Sequence, residues 1–340
     1  MATNALTFDA ARMDGFPVYS LTMDEKWREM QLLLRYDRTR LIENGIVGQT
    51  MHGQALCWHF HPHAWSVPCG GKLSPFDTFG DDERLHRALQ RRERYGSLKS
   101  QSDLRKAVKT VSGSQSVSNF RATAAASLYD RYMPEGGGVT WDMSAGYGGR
   151  LLGAIASPRV RKYIGTDPAS LTYDGLTAMA AELPAMAEQL GGEPTEIELH
   201  KIGSENFIPD RGSIQLALTS PPYYNAEHYS SEASQSFIKF KTREEWLDAF
   251  LGATLSNAHL GLEPSGILVV NIANVKTYPN LTEDFLWLAR RCGLRHIETL
   301  RLALSAMPGT RKGSAFKYEP VFIFEKIKQS SGNFRSEITQ

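Results

Sequence analysis

From about residue 119 onward, short apolar runs rich in β-formers alternate with stretches of helical period, and this pattern constrains the fold more than any other feature of the chain. The runs are Val139–Asp142, Lys162–Thr166, Ile197–His200, Ile214–Thr219, Ile267–Ile272, His296–Leu304 and Val321–Phe324. Helices fit between them at Leu151–Ala156, Ser170–Leu190, Thr242–Leu260 and Leu281–Cys292; the third opens on a capping box, Thr242 to Glu245, before the apolar face of Trp246, Phe250 and Leu251. Strand–helix alternation predicts an α/β domain with a largely parallel sheet. The last two strands follow each other without a helix, so an antiparallel edge pair is expected.

Upstream the character changes. Trp27, Met30 and Leu34 recur at helical spacing behind Thr22 and Asp24, predicting a helix over 24–36. His52–Phe79 is aromatic, histidine-rich and without a clean period, and it receives no assignment. A run of small polar residues, Thr110–Asn119, suggests a border, giving a mainly helical N-terminal domain over 1–118, an α/β domain over 119–328 and a polar tail over 329–340. Net charge is +1, yet Glu83 to Lys109 carries nine basic residues against three acidic ones, Arg91, Arg92 and Arg94 among them. Such a segment is expected to be helical and can neutralise phosphates. Three widely spaced cysteines do not suggest a disulfide framework, and no apolar stretch or leader pattern marks a membrane span or secretion. A cytoplasmic protein with no membrane partner is the expectation.

Asp142-Met143-Ser144-Ala145-Gly146-Tyr147-Gly148-Gly149 lies at a strand-to-helix turn, where glycine lets backbone approach a ligand. Asp167 ends the next strand, twenty-one residues after Gly146, where a carboxylate can accept hydrogen bonds from ribose hydroxyls. Gly203-Ser204-Glu205-Asn206-Phe207 follows the third strand, placed to meet an adenine edge and face. A nucleoside-containing cofactor is implied. No Gly-Lys-Ser/Thr follows the glycines, which disfavours a nucleotide-phosphate loop.

The fourth strand ends in Thr219-Ser220-Pro221-Pro222-Tyr223-Tyr224-Asn225. Prolines have no N–H, so this loop offers carbonyl oxygens without competing donors. An exocyclic amine on an aromatic ring is a poor nucleophile because its lone pair is delocalised. Two acceptors holding its N–H bonds out of plane localise that pair and aim it at a methyl group on a sulfonium. Tyr223 can stack on the ring.

At these residues the chain resembles the DNA amino-methyltransferases, whose cytosine-N4 members carry the form Thr-Ser-Pro-Pro-Tyr, whereas adenine-N6 members more often begin with Asp or Asn. The resemblance covers roughly 119–327. It implies a class I methyltransferase domain, a Rossmann-like seven-stranded mostly parallel sheet, with S-adenosyl-L-methionine as cofactor. It implies that Ser220 and the Pro221 carbonyl accept the two amine N–H bonds beside Pro222, and that Tyr223 stacks. Asp142, Gly146 and Gly148 match the family's cofactor motif, with Met143 and Ser144 where it usually has Pro and Phe. Asn119 and Phe120 are similar to the segment that contacts the methionine moiety, and Ser144, Asp167, Glu205 and Thr219 complete the expected cofactor side. Tyr224, Asn225, Arg91, Arg92 and Arg94 are the expected substrate contacts.

The expected reaction is methyl transfer to an exocyclic amine of a DNA base, cytosine N4 before adenine N6, with the base flipped out of a duplex. Little chain follows the last strand, so target reading is expected from residues 1–118, and the loop 225–241 is a candidate lid. RNA, a nucleoside or a small-molecule amine is the alternative acceptor; a non-catalytic nucleic-acid-binding module is the second. Cys57, His59, His61, His63, His52 and Cys69 could supply zinc ligands only if alternate residues shared one side of a strand, so no metal is assigned.

Overall fold

The computed structural model describes residues 7–94, 100–226, 228–304 and 317–327. Among these, nine strands form one sheet: β1 (Ile42–Glu43), β2 (Ile46–Val47), β3 (Gly138–Asp142), β4 (Val160–Thr166), β5 (Glu196–His200), β6 (Ile214–Thr219), β7 (Leu262–Asn271), β8 (Leu294–Ala303) and β9 (Tyr318–Lys326). Their spatial order is β1-β2-β8-β9-β7-β6-β3-β4-β5. From β5 to β7 all neighbours are parallel, and β9 runs antiparallel to both β7 and β8. This is a Rossmann-like, mostly parallel sheet. The chain winds outward from β3 to β5, then returns to β6 on the other side of β3. At such a reversal the loops diverge and leave a crevice at the carboxyl ends of the strands.

Strand periodicity explains the two cores. Leu216, Leu218 and Val269 point to one face, Ala217, Leu268 and Val270 to the other. The first face is covered by helices Ala122–Tyr132, Gly149–Ala156 and Ser170–Gln189, the second by the segment 243–261 and helix Leu281–Arg291. The expected helix at 242–260 starts from its capping box, with Thr242 Oγ1 accepting from Glu245 N at 3.1 Å. It then takes one π-type stretch, Trp246–Gly252, before resuming as Ala253–Gly261. An extra residue per turn rotates the face it presents, and Phe250, inside the stretch, borders the crevice.

One expectation is corrected and another, that the basic segment is helical, is refined. The sheet has two more strands than the seven expected, because Ile42–Glu43 and Ile46–Val47 form a hairpin and β2 pairs in parallel with β8. Its turn is Asn44-Gly45, both at positive φ, the geometry that two-residue hairpins require. The basic segment is two helices, Asp82–Arg94 and Gln101–Thr110, which pack through Leu85, Leu89, Leu104 and Val108. Lys99 and the tail over 329–340 lie outside the described residues.

Residues on both sides of the expected border at 118 share one core. Met30 and Leu33 of helix Met23–Arg35, with Leu56 and Cys57 of helix Gln54–Phe60, pack among Ala125, Leu152, Leu176 and Met179. Lys26 reaches Glu182 at 2.6 Å across this contact. No helix of the described residues is long and apolar enough to cross a membrane.

Candidate active site

The glycine turn after β3 is fixed from beneath. Asp142 is fully buried, and its carboxylate accepts from Arg150 Nε (2.8 Å), Tyr163 Oη (2.8 Å) and Ser144 N (3.3 Å). Arg150 also donates to the Ser144 carbonyl. Asp142 therefore braces the turn and does not line the crevice, which corrects its expected place as a cofactor contact. Gly148 is likewise behind the wall. At φ +74° it opens helix Gly149–Ala156, and a Cβ there would lie 2.4 Å from the Met179 sulfur. Gly146, at φ +55°, does line the crevice, and its N–H donates to Asp167 at 3.0 Å.

Asp167 receives a second N–H, from Ala169 at 3.0 Å, so each carboxylate oxygen holds one backbone donor and keeps a lone pair for a ligand. Burial raises its pKa to about 6, against the pull of those two donors. Ser144, Asn119 and Phe120 line the same end, and Asn119 donates to the Tyr147 carbonyl at 3.2 Å. Gly203, Ser204 and Glu205 close its far side, with Glu205 held by Lys239 at 2.7 Å. Phe207 instead packs on Trp141 and His200, with ring centroids at 5.2 and 4.6 Å, and is not part of the wall.

The histidine-rich segment lies behind this turn. Tyr147 is packed by Trp58, His61 and His63 at centroid distances of 5.6, 5.7 and 5.7 Å. His61 is buried, with its ring nitrogens 2.9 Å from the Cys57 carbonyl and 3.3 Å from the Thr172 carbonyl, and burial pulls its pKa down to about 4. The residues sit on helix Gln54–Phe60 and the turn Pro62–Ser66, so alternate side chains do not share a side. Among the described residues no three His, Cys, Asp or Glu are arranged to hold a metal.

At the other end, β6 delivers Ser220, Pro221, Pro222 and Tyr223 into the crevice beside β7, whose Val270 is the register partner of Thr219. Ser220 Oγ donates to Asn271 Oδ1 at 3.4 Å. Tyr223 Oη is 3.3 Å from both Asn271 oxygens and 3.2 Å from Glu319 Oε2. Burial pushes the Glu319 carboxyl above its usual range, against the pull of Tyr223 and Asn271. Asn225 lines the crevice with its side-chain oxygen buried and, among the described residues, without a hydrogen-bond partner. Thr219 is buried beneath the wall, its hydroxyl also without a partner among the described residues, rather than lining the cofactor side as expected. Tyr224 turns away at φ +56°, donates to the Lys241 carbonyl and packs on Trp246 and Tyr278, so it is not a substrate contact in this arrangement.

The two ends are one continuous cavity of about 1550 Å³. Pro68–Leu73 roofs it, with Gly70 N donating to the Ala226 carbonyl at 3.0 Å. The loop after the proline pair crosses toward the cofactor end, where Glu232 accepts from the backbone and hydroxyl of Ser170 at 3.0 and 2.9 Å. Arg91, Arg92 and Arg94 are not in the cavity wall: Arg91 donates to the Thr110 carbonyl, Arg92 pairs with Asp103 at 3.3 Å, and Arg94 is exposed on its helix. Sequence reasoning missed Asn271, Glu319 and the Pro68–Leu73 roof. Asn271 carried a usable signal, since a polar residue ending an apolar strand next to the reversal point faces the crevice.

No protein-family model matches the sequence, and no curated protein does. Similar solved structures include a geranyl diphosphate C-methyltransferase from Streptomyces coelicolor A3(2), determined with geranyl diphosphate and S-adenosyl-L-homocysteine (12% identity, TM-score 0.41, 60% of this chain and 80% of that one). A SAM-dependent methyltransferase from Methanosarcina mazei (13%, 0.40, 59% and 97%) and a TehB-like SAM-dependent methyltransferase from Corynebacterium glutamicum (16%, 0.36, 61% and 89%) are further examples. Likeness at this level does not carry substrate or chemistry from those proteins to this chain.

Proposed function

We propose that this chain transfers a methyl group from S-adenosyl-L-methionine to an amino nitrogen on a planar acceptor. The observation that carries the reading is the single cavity that joins Gly146 and Asp167 to Ser220–Tyr223 and Asn225. Its volume exceeds the roughly 300–1,000 Å³ of a site for one small ligand, and so suits a cofactor and an acceptor together. The residues fit the cofactor: Asp167 has lone pairs for the ribose, Gly146 leaves its ligand side open, and Ser204 and Glu205 offer polar groups to a base edge.

S-adenosyl-L-methionine supplies an electrophilic methyl group. The protein's part is to hold the amine. Ser220 Oγ and the Pro221 carbonyl accept its two N–H bonds, which localises the lone pair, and Tyr223 packs on the ring. Bound at Gly146 and Asp167, the cofactor would supply the methyl group, and the amine held by Ser220 and the Pro221 carbonyl would release one proton to water on methylation.

For the acceptor, the Thr219–Tyr223 resemblance favours a DNA base amine, cytosine N4 before adenine N6. A second reading is an RNA, nucleoside or small-molecule amine, and the engagement of the basic helices within the chain favours the acceptors that carry no phosphate backbone. Arg84, Arg87, Arg91 and Arg92 are engaged with Asp81, Glu83, the Thr110 carbonyl and Asp103 within the chain. Incubation with methyl-labelled S-adenosyl-L-methionine and DNA, RNA or free nucleosides, followed by nucleoside analysis, is expected to place label on an exocyclic nitrogen. Absence of S-adenosyl-L-homocysteine binding by calorimetry would sink the methyltransferase reading; label only in RNA or nucleosides would sink the DNA reading alone.

A further inference from the structure

We infer that Asn271 is a positioning residue that fixes the Ser220 hydroxyl as a hydrogen-bond acceptor, a role resting on the reading of Ser220 as the contact to the amine. A serine hydroxyl has one proton and two lone pairs, and nothing in the side chain decides which it offers a ligand. To hold an amine N–H bond, Ser220 must place its own proton elsewhere. Among the described residues the structure gives it one place: Ser220 Oγ donates to Asn271 Oδ1 at 3.4 Å. That contact is long, as catalytic contacts often are before an acceptor closes on them.

The orientation of the Asn271 amide is not arbitrary. Its Nδ2 donates to the Pro320 carbonyl at 3.0 Å, and a carbonyl can only accept, so Oδ1 must face Ser220 and Tyr223. Asn271 is almost wholly buried at the end of β7 and cannot swing out to water. Tyr223 competes for the same oxygen at 3.3 Å, but its hydroxyl also reaches Glu319 at 3.2 Å. When the Tyr223 proton goes to the Glu319 carboxylate, Oδ1 is left to Ser220. The chain of donors thus runs from Ser220 to Asn271 Oδ1 and from Asn271 Nδ2 to the β9 backbone, and the Ser220 lone pairs face the cavity.

The test asks whether Asn271 becomes dispensable when residue 220 is an acceptor by its own chemistry. Asn271→Ala and the milder Asn271→Ser are made alone and with Ser220→Asn, whose amide oxygen needs no partner to accept. Methyl transfer is measured with DNA, RNA and nucleosides, and S-adenosyl-L-homocysteine affinity by calorimetry. The expected result is a fall in kcat of ten-fold or more on removing Asn271, unchanged cofactor affinity, and little or no fall when Asn271 is removed in the Ser220→Asn background. An equal loss in both backgrounds overturns the inference. Thermal unfolding of Ser220→Ala, Asn271→Ala and the pair supplies a readout that needs no acceptor. Shifts in Tm smaller for the pair than for the two singles together support the contact, and additive shifts overturn it. If Ser220→Ala itself keeps full activity, the reading of Ser220 fails; if Ser220→Ala is inactive and Asn271→Ala is not, only the inference fails.

Discussion

The two ends of the cavity are built differently. At the cofactor end the turn is braced from below by Asp142, Arg150 and Tyr163 at 2.8 Å, and from behind by Tyr147 with Trp58, His61 and His63. At the acceptor end, Ser220 and Tyr223 are held by contacts of 3.2–3.4 Å, and buried oxygens of Thr219 and Asn225 have no partner among the described residues. A site for a constant cofactor gains from being formed in advance, because ordering it on binding would weaken affinity. A site whose hydrogen bonds await the acceptor can make them strongest in the transition state, where they accelerate the reaction.

That contrast can be broken most forcefully at Arg150. Arg150→Met leaves the Asp142 carboxylate buried without its cation, an expected loss of about 3–5 kcal/mol, seen as a lower Tm together with loss of S-adenosyl-L-homocysteine binding. A fall in Tm with binding intact would mean that the brace does not shape the turn. Ser220→Ala should act oppositely, lowering kcat by about 10²-fold, in line with the removal of one transition-state hydrogen bond, with cofactor affinity unchanged and Tm lowered only by the loss of the Asn271 contact.

Asp167 gives a smaller, pH-dependent effect. Its folded pKa, raised to about 6, means that folding favours the protonated form. Its contribution to stability is therefore full below about pH 4 and is lost as pH rises through about 6. Ribose recognition has the other sign, since the ionised carboxylate is the better acceptor. S-adenosyl-L-homocysteine affinity is expected to weaken on acidification through pH 6, and Asp167→Asn to be weaker throughout with a flat profile; a wild-type profile that is already flat would remove Asp167 from the ribose site. The smallest effect belongs to Arg94→Glu, exposed and far from both ends: stability should stay within about 0.5 kcal/mol. A large loss of DNA binding in that variant would restore the basic helices to a substrate role.

The α/β half was legible because strand and helix periods are local, and each strand expected between Val139 and Phe324 is found within a few residues. Asp142 and Gly148 were placed in the right turn but on the wrong side of it, since periodicity locates a residue along the chain and not which way a buried carboxylate faces. The His52–Phe79 stretch showed no period because it is cut into short pieces, helix Gln54–Phe60, the turn Pro62–Ser66 and a helix over Pro75–Gly80, none long enough to repeat a face. The extra hairpin was written plainly as Asn44-Gly45, but strands of two residues have no periodicity to detect. The arginines of the basic helices were countable, whereas their intramolecular partners, such as Asp103 for Arg92, appear only when the helices are brought together.

The edge hairpin also bears on the order in which the molecule can assemble. Val47 pairs with Leu302, and Leu56 packs among residues of helices more than sixty positions later in the chain. The N-terminal stretch is made first but has nowhere to dock until β8 and helix Ser170–Gln189 exist. Such distant pairing slows folding and leaves apolar surface waiting. Seating Trp58, His61 and His63 behind Tyr147 therefore needs the later part of the chain in place, which ties the packing of the cofactor turn to the docking of the N-terminal stretch.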